Sequence, residues 1–409
     1  MTLESPDALK EVPAPNAVTN FENVLRSMLA VSGKVSDLIF SPGRPPQIEL
    51  VGNLQGVNIP GLEKLTPAHT AGIAKLIIAS HLRAGQDVGA ARNLEKHGST
   101  DLSYGVAGLA RFRVNIFMQR GTHAIVMRVI PSNPPRFEEL DLPEQLKSIV
   151  ELKNGIVLVT GPTGSGKSST LAAIIDLINE TKYYHVVTIE DPIEFLHQHK
   201  NCTIHQRELH TDTSDFAHAL RAALRQAPKV ILVGEMRDRE TIEVALEAAE
   251  TGHLVLSTLH TIDAAKTVDR IIGVFPKNEE KVIRTRLSQS FRYIVSQRLL
   301  PRADNKGRVA AIEILKATSR TKEYIERGES EGKSLIDAME QGDQDGMQTF
   351  DGVLEGMIKS GIVTREVGLS YASNSGNLLL RLADFGSKVR PAEAAPKPEE
   401  DSIIDLIER

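Results

Sequence analysis

One segment, residues 161–168 with the sequence GPTGSGKS, constrains the fold of this chain more than any other. It follows the apolar run 156–159 (IVLV) and leads into the apolar segment 170–175 (TLAAII). A buried strand therefore passes through a glycine-rich loop into a helix, which lets backbone N–H groups converge on phosphate oxygens. Lys167 carries a positive charge to the phosphates, and the Ser168 hydroxyl is placed to hold Mg²⁺. We interpret the segment as a nucleotide phosphate cradle.

The cradle sets the expected cofactors, which are ATP and Mg²⁺, with Ser168 among the metal ligands. Lys167 belongs to a loop in this interpretation, so we expect its side chain to be exposed and to contribute little to folding. The residues predicted to bind the nucleotide are Gly161, Pro162, Thr163, Gly164, Ser165, Gly166, Lys167, Ser168 and Ser169.

Composition narrows the class of protein in which this loop can lie. The 409 residues are 41% hydrophobic and 25% charged, as expected for a globular protein of two domains. No apolar run approaches the roughly 20 residues of a membrane span, and the single cysteine, Cys202, excludes internal disulfides and a four-cysteine zinc site. We therefore expect a cytoplasmic protein. The net charge of −5 and the 4% aromatic content argue against a broad nucleic-acid surface.

The first third of the chain is typical of a separate α+β domain. Prolines interrupt residues 1–20, which we expect to be a flexible tail, and the folded domain is expected over 21–131. Apolar residues at helical spacing predict a helix from Phe21 to Val31, then a strand, turn and strand over 38–51 and a helix over 67–83. Alternating residues on both sides of 119–122 predict a β-hairpin.

A short proline-rich linker, residues 132–136, precedes a second domain expected over 137–386. Short apolar strands at 156–159, 186–189, 230–233 and 254–256 alternate there with loops and helices, which predicts a parallel sheet covered on both faces. We expect the chain to be mostly helical from Pro301 to about Phe385. Residues 387–409 are expected to be a flexible tail that ends in a short amphipathic helix over 401–409.

Three further segments place chemical groups at the ends of predicted strands, where open α/β sheets bind ligands. In 188–195 (TIEDPIEF), Glu190 is the candidate general base, and a solvated acidic loop is the alternative. The segment 230–238 (VILVGEMRD) resembles a Walker B strand with Gly234 where many such proteins have Asp, so Glu235 would hold Mg²⁺ through water or be the base instead. His253 and His260 flank a buried strand, and each would either sense the γ-phosphate or serve structure alone.

The four segments GPTGSGKS, TIEDPIEF, VILVGEMRD and TGHLVLSTLHT, in this order, resemble the secretion ATPase superfamily. They are most similar to the ATPases that retract type IV pili in twitching motility, and the similarity extends over residues 21–386. It implies an α/β protein in which a PAS-like α+β domain precedes a RecA-like parallel-sheet ATPase domain with a helical C-terminal part. It also implies a homohexamer in which the N-terminal domain of one subunit packs on the RecA-like domain of the next.

The same resemblance implies roles for individual residues. Lys167 would hold phosphate, Glu235 would lie on the metal side as a Mg²⁺ ligand, and two histidines would form a histidine box. Arg113 and Arg128 of the hairpin would reach ATP from the N-terminal domain. Arg111 and Arg120 are the alternatives, because one sequence does not fix the register of the hairpin. The expected catalytic residues are Glu190, Glu235, Arg113, Arg128, His253 and His260.

The implied function is Mg²⁺-dependent ATP hydrolysis by a motor that retracts pili. Extension ATPases commonly carry a tetracysteine motif and a longer N-terminal region. This chain has one cysteine and a short N-terminal tail, so retraction is favoured over extension. The loose match of 319–329 to the retraction motif, together with the segment 197–202 (HQHKNC), favours an accessory motor of the PilU type. The alternatives are an extension or type II secretion ATPase, a nucleic-acid motor, and a regulatory ring coupled to a sister ATPase.

The partners follow from the same resemblance. We expect a pilus platform protein of the inner membrane, with a sister retraction ATPase as a further candidate and no nucleic acid. The protein would be peripheral to the cytoplasmic face of the inner membrane and not inserted in it. Apart from the resemblance, the apolar stripe of the segment 401–409 predicts that it docks on a neighbouring subunit, a sister ring or the platform, with a disordered tail as the alternative.

Overall fold

The structure is a computed structural model that describes residues 15–80 and 89–383, with the backbone alone for 15–19. The strands are β1 (Val35–Phe40), β2 (Gln47–Leu50), β3 (Asn53–Gly56), β4 (Ser99–Val106), β5 (Ala110–Gln119), β6 (Thr122–Ile130), β7 (Gly155–Thr160), β8 (His185–Glu190), β9 (Thr203–Glu208), β10 (Val230–Val233), β11 (Leu254–Leu259), β12 (Phe291–Pro301) and β13 (Arg308–Lys316). The helices are α1 (Pro15–Leu29), α2 (Pro67–Ser80), α3 (Gly89–His97), α4 (Lys167–Thr181), α5 (Phe216–Ala223), α6 (Arg239–Glu250), α7 (Ala264–Gly273), α8 (Glu280–Ser290), α9 (Ser319–Arg327), α10 (Leu335–Glu340), α11 (Phe350–Lys359), α12 (Arg365–Ser370) and α13 (Ser375–Ala383). Short 3₁₀ helices cover Glu138–Leu140, Glu144–Glu151 and Asp343–Asp345.

The N-terminal domain is built on a six-stranded antiparallel sheet with the order β3-β2-β1-β6-β5-β4. Alternate residues of β5, including Phe112, Val114 and Ile116, point into a core that α1, α2 and α3 cover. The predicted hairpin is confirmed, because β5 and β6 pair from Arg111 opposite Ile130 to Gln119 opposite Thr122. The polar residues of β5 therefore lie on the opposite face of the sheet, away from this core.

The N-terminal helix starts earlier than expected. α1 begins at Pro15, so the prediction of a flexible tail up to residue 20 is wrong for residues 15–20. A proline is favourable in the first turn of a helix because no intrahelical acceptor exists there for its missing N–H. Phe21, Leu25 and Met28 follow at helical spacing and are buried in the sheet core, which holds the helix in place.

The second domain is built on a seven-stranded sheet with the order β13-β12-β7-β11-β10-β8-β9. All of its pairings are parallel except β12 with β13. Along β7, Ile156 and Leu158 enter one core, whereas Val157 and Val159 enter the core on the other face of the sheet. Because both faces of the sheet are buried in this way, the strands are almost wholly apolar. The prediction of a parallel sheet with helices on both faces is confirmed.

The expectation of a mostly helical region after Pro301 is wrong for β13. Its sequence, RVAAIEILK, is rich in residues that favour helices, but it pairs with β12 over nine positions and is buried at most of them. Tertiary packing therefore overrides the local preference. Beyond β13, helices α9 to α13 follow as predicted, and α11, α12 and α13 pack over Leu300, Val309 and Ala311 in a separate core.

Some predicted elements lie outside the described residues. These are the tail 387–409 with its helix over 401–409, the last residues of the helix predicted over 67–83, and the tail up to residue 14. In the part of the chain that the structure describes, no helix has the length and apolar character to cross a bilayer.

Candidate active site

The phosphate cradle lies where β7 passes into α4. Helices α5, α6 and α7 each begin with an aspartate whose carboxylate accepts a backbone N–H, but α4 begins after Gly166 with no side-chain cap. Gly164 and Gly166 have φ of +78° and +90°, values that glycine adopts without strain. The first N–H groups of α4 are therefore left for an anion, which is the feature that phosphate binding requires.

Lys167 is buried rather than exposed, contrary to the expectation from the sequence. Its side chain folds back into the loop, and Nζ donates to the carbonyl oxygens of Gly161 at 2.9 Å and Pro162 at 3.1 Å. Burial lowers the pKa of Lys167, and the negative charges of Glu235 and Glu194 oppose that change. The ammonium group thus lies inside the loop and beside two carboxylates, ready to exchange carbonyl partners for phosphate oxygens.

A cavity of about 650 Å³ opens in front of the cradle, and its lining fits a nucleotide. Ser165 Oγ is buried under the loop without a hydrogen-bond partner among the described residues. A Cβ at Gly161 would collide with Ser165 and with the backbone of Gln297, so the loop closes tightly beneath the cavity. Of the predicted nucleotide-binding residues, the lining includes Thr163, Gly164, Gly166, Lys167, Ser168 and Ser169.

Glu190 ends β8 and lines the same cavity. Its carboxylate accepts hydrogen bonds from Thr188 Oγ1 at 2.7 Å and from Gln206 Nε2 at 3.1 Å. Burial raises the pKa of Glu190 to about 7, although these hydrogen bonds act in the opposite direction. A carboxylate with a pKa near neutrality and two fixed neighbours is suited to take a proton from an attacking water.

Glu235 and His260 meet on the other side of the cradle. Glu235 Oε2 lies 2.6 Å from an Nη atom of Arg237 and 3.5 Å from Nε2 of His260. His260 Nδ1 in turn lies 3.5 Å from Nζ of Lys167. An imidazole protonated on Nε2 suits both neighbours, because Nδ1 then accepts from the ammonium group and Nε2 donates to the carboxylate.

The structure gives a reason for Gly234 in the Walker B-like strand. Its N–H donates to the carbonyl of Ile189 at 2.8 Å. A Cβ at this position would lie 3.2 Å from the same oxygen and 3.4 Å from Cα of Glu190, which is tighter than ordinary packing. An aspartate does not fit there without a backbone shift. Glu235, one residue later, is the carboxylate of this segment that lines the cavity.

Of the arginines considered, the structure brings Arg113 to the cavity. Arg113 and Arg128 are direct cross-strand partners in β5 and β6. Arg128 is occupied elsewhere, because its Nε donates to Asp37 at 3.0 Å. Arg111 donates to Glu208 at 2.9 Å, and Arg120 lies in the hairpin turn with a φ of +48°. Of the arginines whose register the sequence left open, Arg113 is therefore the one that faces the cavity.

The structure does not bring His253 to the cavity. It precedes β11, whereas His260 follows this strand, so the two histidines lie roughly 23 Å apart along the chain direction. His253 Nδ1 lies 3.0 Å from the carbonyl of Ala248, and its own carbonyl accepts the N–H of Gly155 at 3.0 Å. These contacts belong to the amino ends of the parallel strands, on the side of the sheet opposite the cradle.

Comparison with known proteins identifies the family. The model of a family described as type II/IV secretion system protein matches residues 71–367. This chain belongs to that family. The type IV pilus retraction ATPase PilT of Pseudomonas aeruginosa is 45% identical over 344 residues, 84% of this chain and 96% of PilT. The type IV pilus ATPase PilU of the same organism is 38% identical over 362 residues, 88% of this chain and 91% of PilU.

A solved structure supports the fold of this secretion-family ATPase. The pilus retraction motor PilT with bound ADP superimposes with a TM-score of 0.74 at 40% identity, covering 88% of this chain and 98% of that one. The expected fold class, an N-terminal α+β domain before a parallel-sheet ATPase domain with a helical C-terminal part, is confirmed. The resemblance to retraction ATPases that the four motifs indicated is confirmed as well.

The donors around the cradle of this secretion-family chain fit Mg²⁺ held partly by a nucleotide. Among residues 15–80 and 89–383, no three or more His, Cys, Asp and Glu side chains form a metal site by themselves. Mg²⁺ usually takes one or two protein oxygens together with phosphate oxygens and water. Ser168, in the first turn of α4, and Glu235 can supply such oxygens, because both line the cavity.

Sequence reasoning missed several residues that line the cavity of this secretion-family ATPase. Arg237 and Glu194 belong to motifs already noted, and their position within these motifs could have pointed to them. Arg308 carried no such indication, because it opens β13, where a helix was expected. The cavity thus has Arg113 from the N-terminal domain and Arg308 from the strand pair β12 and β13, two positive charges from separate elements.

Proposed function

We propose that this protein hydrolyses ATP with Mg²⁺ to retract a type IV pilus, as a homohexamer at the cytoplasmic face of the inner membrane. One observation carries the proposal: Lys167, Glu190 and Glu235 line a single cavity in a chain that resembles a retraction ATPase along nearly its whole length. Its partners would be the platform protein at the pilus base and a sister retraction ATPase. ATP hydrolysis would drive retraction of the pilus, because residues of both domains line the cavity.

Each residue has a definite task in the proposed reaction. Lys167 would neutralise charge at the β- and γ-phosphates, and the uncapped N–H groups of α4 would hold phosphate oxygens. Glu190 would orient the attacking water and accept its proton. Ser168 and Glu235 would hold Mg²⁺, which would supply positive charge that offsets the negative charge of the phosphates. Arg113 would stabilise the negative charge that develops on the transferred group.

A deletion strain distinguishes a retraction motor from an extension motor, and a motor that acts alone from an accessory one. We expect a deletion strain to carry excess pili, counted by electron microscopy, and to lose twitching, because retraction fails while assembly continues. Complementation with the intact gene should restore both. Excess pili with preserved twitching would assign an accessory role of the PilU type. Loss of pili would indicate an extension motor, and normal pili with normal twitching would contradict the proposal.

The proposed base gives a pH-dependent prediction. Because a raised pKa keeps the Glu190 carboxyl protonated below pH 7, kcat/KM should fall as pH decreases through about 7. The Glu190→Gln variant should bind Mg-ATP yet turn over about 10²- to 10⁴-fold more slowly, and this acidic limb should disappear. Steady-state kinetics across pH and binding of a fluorescent ATP analogue measure both effects.

Glu235→Gln is the matched variant, since it removes a second carboxylate from the same cavity. We expect it to raise the Mg²⁺ concentration needed for half-maximal activity and to keep the acidic limb of the pH profile. If Glu235→Gln instead abolishes that limb while Glu190→Gln shifts the Mg²⁺ requirement, the two roles are exchanged.

A further inference from the structure

A buried carboxylate joins the two domains beside the active site. Glu208 is the last residue of β9 and is 4% exposed. In the parallel pairing of β8 with β9 it lies directly opposite Glu190. Glu208 is not among the residues that line the cavity, so it is next to the candidate base without facing the nucleotide.

The carboxylate of Glu208 accepts from donors on separate elements. Oε1 accepts the hydroxyl of Ser103, and Oε2 accepts Nη2 of Arg111 at 2.9 Å and the backbone N–H of Ile193 at 3.1 Å. Ser103 and Arg111 belong to β4 and β5 of the N-terminal sheet, whereas Ile193 belongs to the loop that follows Glu190. Because a buried charge is stable only with such partners, the strands and the loop are held together at this point.

The two donors from the N-terminal sheet flank Arg113. Ser103 is the direct cross-strand partner of Arg113 in the pairing of β4 with β5. Arg111 lies two residues before Arg113 and therefore on the same face of β5. Glu208 thus bonds to two of the neighbours of Arg113 on that face, while the side chain of Arg113 itself reaches the cavity.

We propose that Glu208 is a positioning residue for ATP hydrolysis. It fixes the sheet face that carries Arg113 against the loop that follows Glu190, and it does so without lining the cavity. This inference rests on the proposed ATPase function and on the role of Arg113 in it. A displacement of a catalytic group by about 1 Å can lower a rate by about a hundredfold, so a contact outside the cavity can have a kinetic effect.

The test is the variant Glu208→Gln, which keeps the size of the side chain and removes the charge that faces Arg111. We expect kcat to fall about 10- to 100-fold with little change in the affinity for a fluorescent ATP analogue. The matched control is Glu250→Gln, because Glu250 also pairs with an arginine, Arg286, at 2.7 and 2.9 Å but does not line the cavity. It should keep the kcat of the unmodified protein.

A double variant separates positioning from a merely structural role. If Glu208 acts through Arg113, Arg113→Ala with Glu208→Gln should match Arg113→Ala alone within about twofold. Losses that multiply, or an unchanged kcat in Glu208→Gln, would overturn the inference. Should Glu208→Gln fail to fold, Arg111→Gln removes the same ion pair from the other side and enters the same comparison. Equal turnover by the intact protein and Lys167→Ala would refute the proposed ATPase site instead.

Discussion

Lys167→Ala is expected to abolish ATP turnover. The ammonium group lies inside the cradle that would hold the phosphates, and it is buried, so water and salt screen it little. Removal also takes away the donor that organises the loop, because Gly161 and Pro162 both accept hydrogen bonds from Nζ. Charge and loop geometry are therefore lost together.

Phosphate release measured under saturating Mg-ATP checks this result. The matched control is Lys182→Ala. Lys182 directly follows the same helix, its Nζ lies 2.7 Å from the carboxylate of Glu151, and neither residue lines the cavity. This variant should keep turnover near that of the intact protein. Because Lys167 is buried, thermal unfolding should accompany the assay to show that the variant is folded. A folded Lys167→Ala protein with near-normal turnover would contradict the assignment of the cradle.

Much of the site can be predicted from the sequence because it lies at the carboxyl ends of parallel strands. The cradle follows β7, Glu190 ends β8, and His260 follows β11, and a short apolar run in the sequence marks each of these strands. His253 shows the limit of the same reasoning. Both ends of β11 carry a histidine, but the carboxyl end of this parallel strand is the one that faces the cavity.

The remainder depends on contacts between elements distant in the chain. Arg113 and Arg128 share one sheet face, and they differ in their tertiary contacts: Arg128 is paired with Asp37, whereas Arg113 lines the cavity. Arg308 reaches the cavity because β13 joins the sheet, which its helix-favouring composition conceals. None of these contacts has a local sequence pattern.

Arg113→Ala is expected to lower kcat by about 10³- to 10⁵-fold, the range found for arginines that stabilise phosphoryl transfer. Nucleotide binding should persist, because the cradle and Glu235 are untouched. Arg128→Ala should lower kcat far less, since Arg128 is held by Asp37 and does not line the cavity. Turnover and analogue binding of the two variants, measured side by side, check this difference. Equal losses in both would contradict it.

The placement of Arg113 also predicts which subunit of the proposed ring supplies it. Arg113 lines the cavity of its own chain, next to Lys167 and Glu190, so it should act in the same subunit. Mixing Arg113→Ala subunits with Lys167→Ala subunits tests this, because one partner keeps an intact cradle and the other an intact arginine. We expect mixed rings to remain inactive. Recovery of ATPase activity would mean that the arginine comes from the neighbouring subunit, and it would contradict the assignment of Arg113 to the cavity of its own chain.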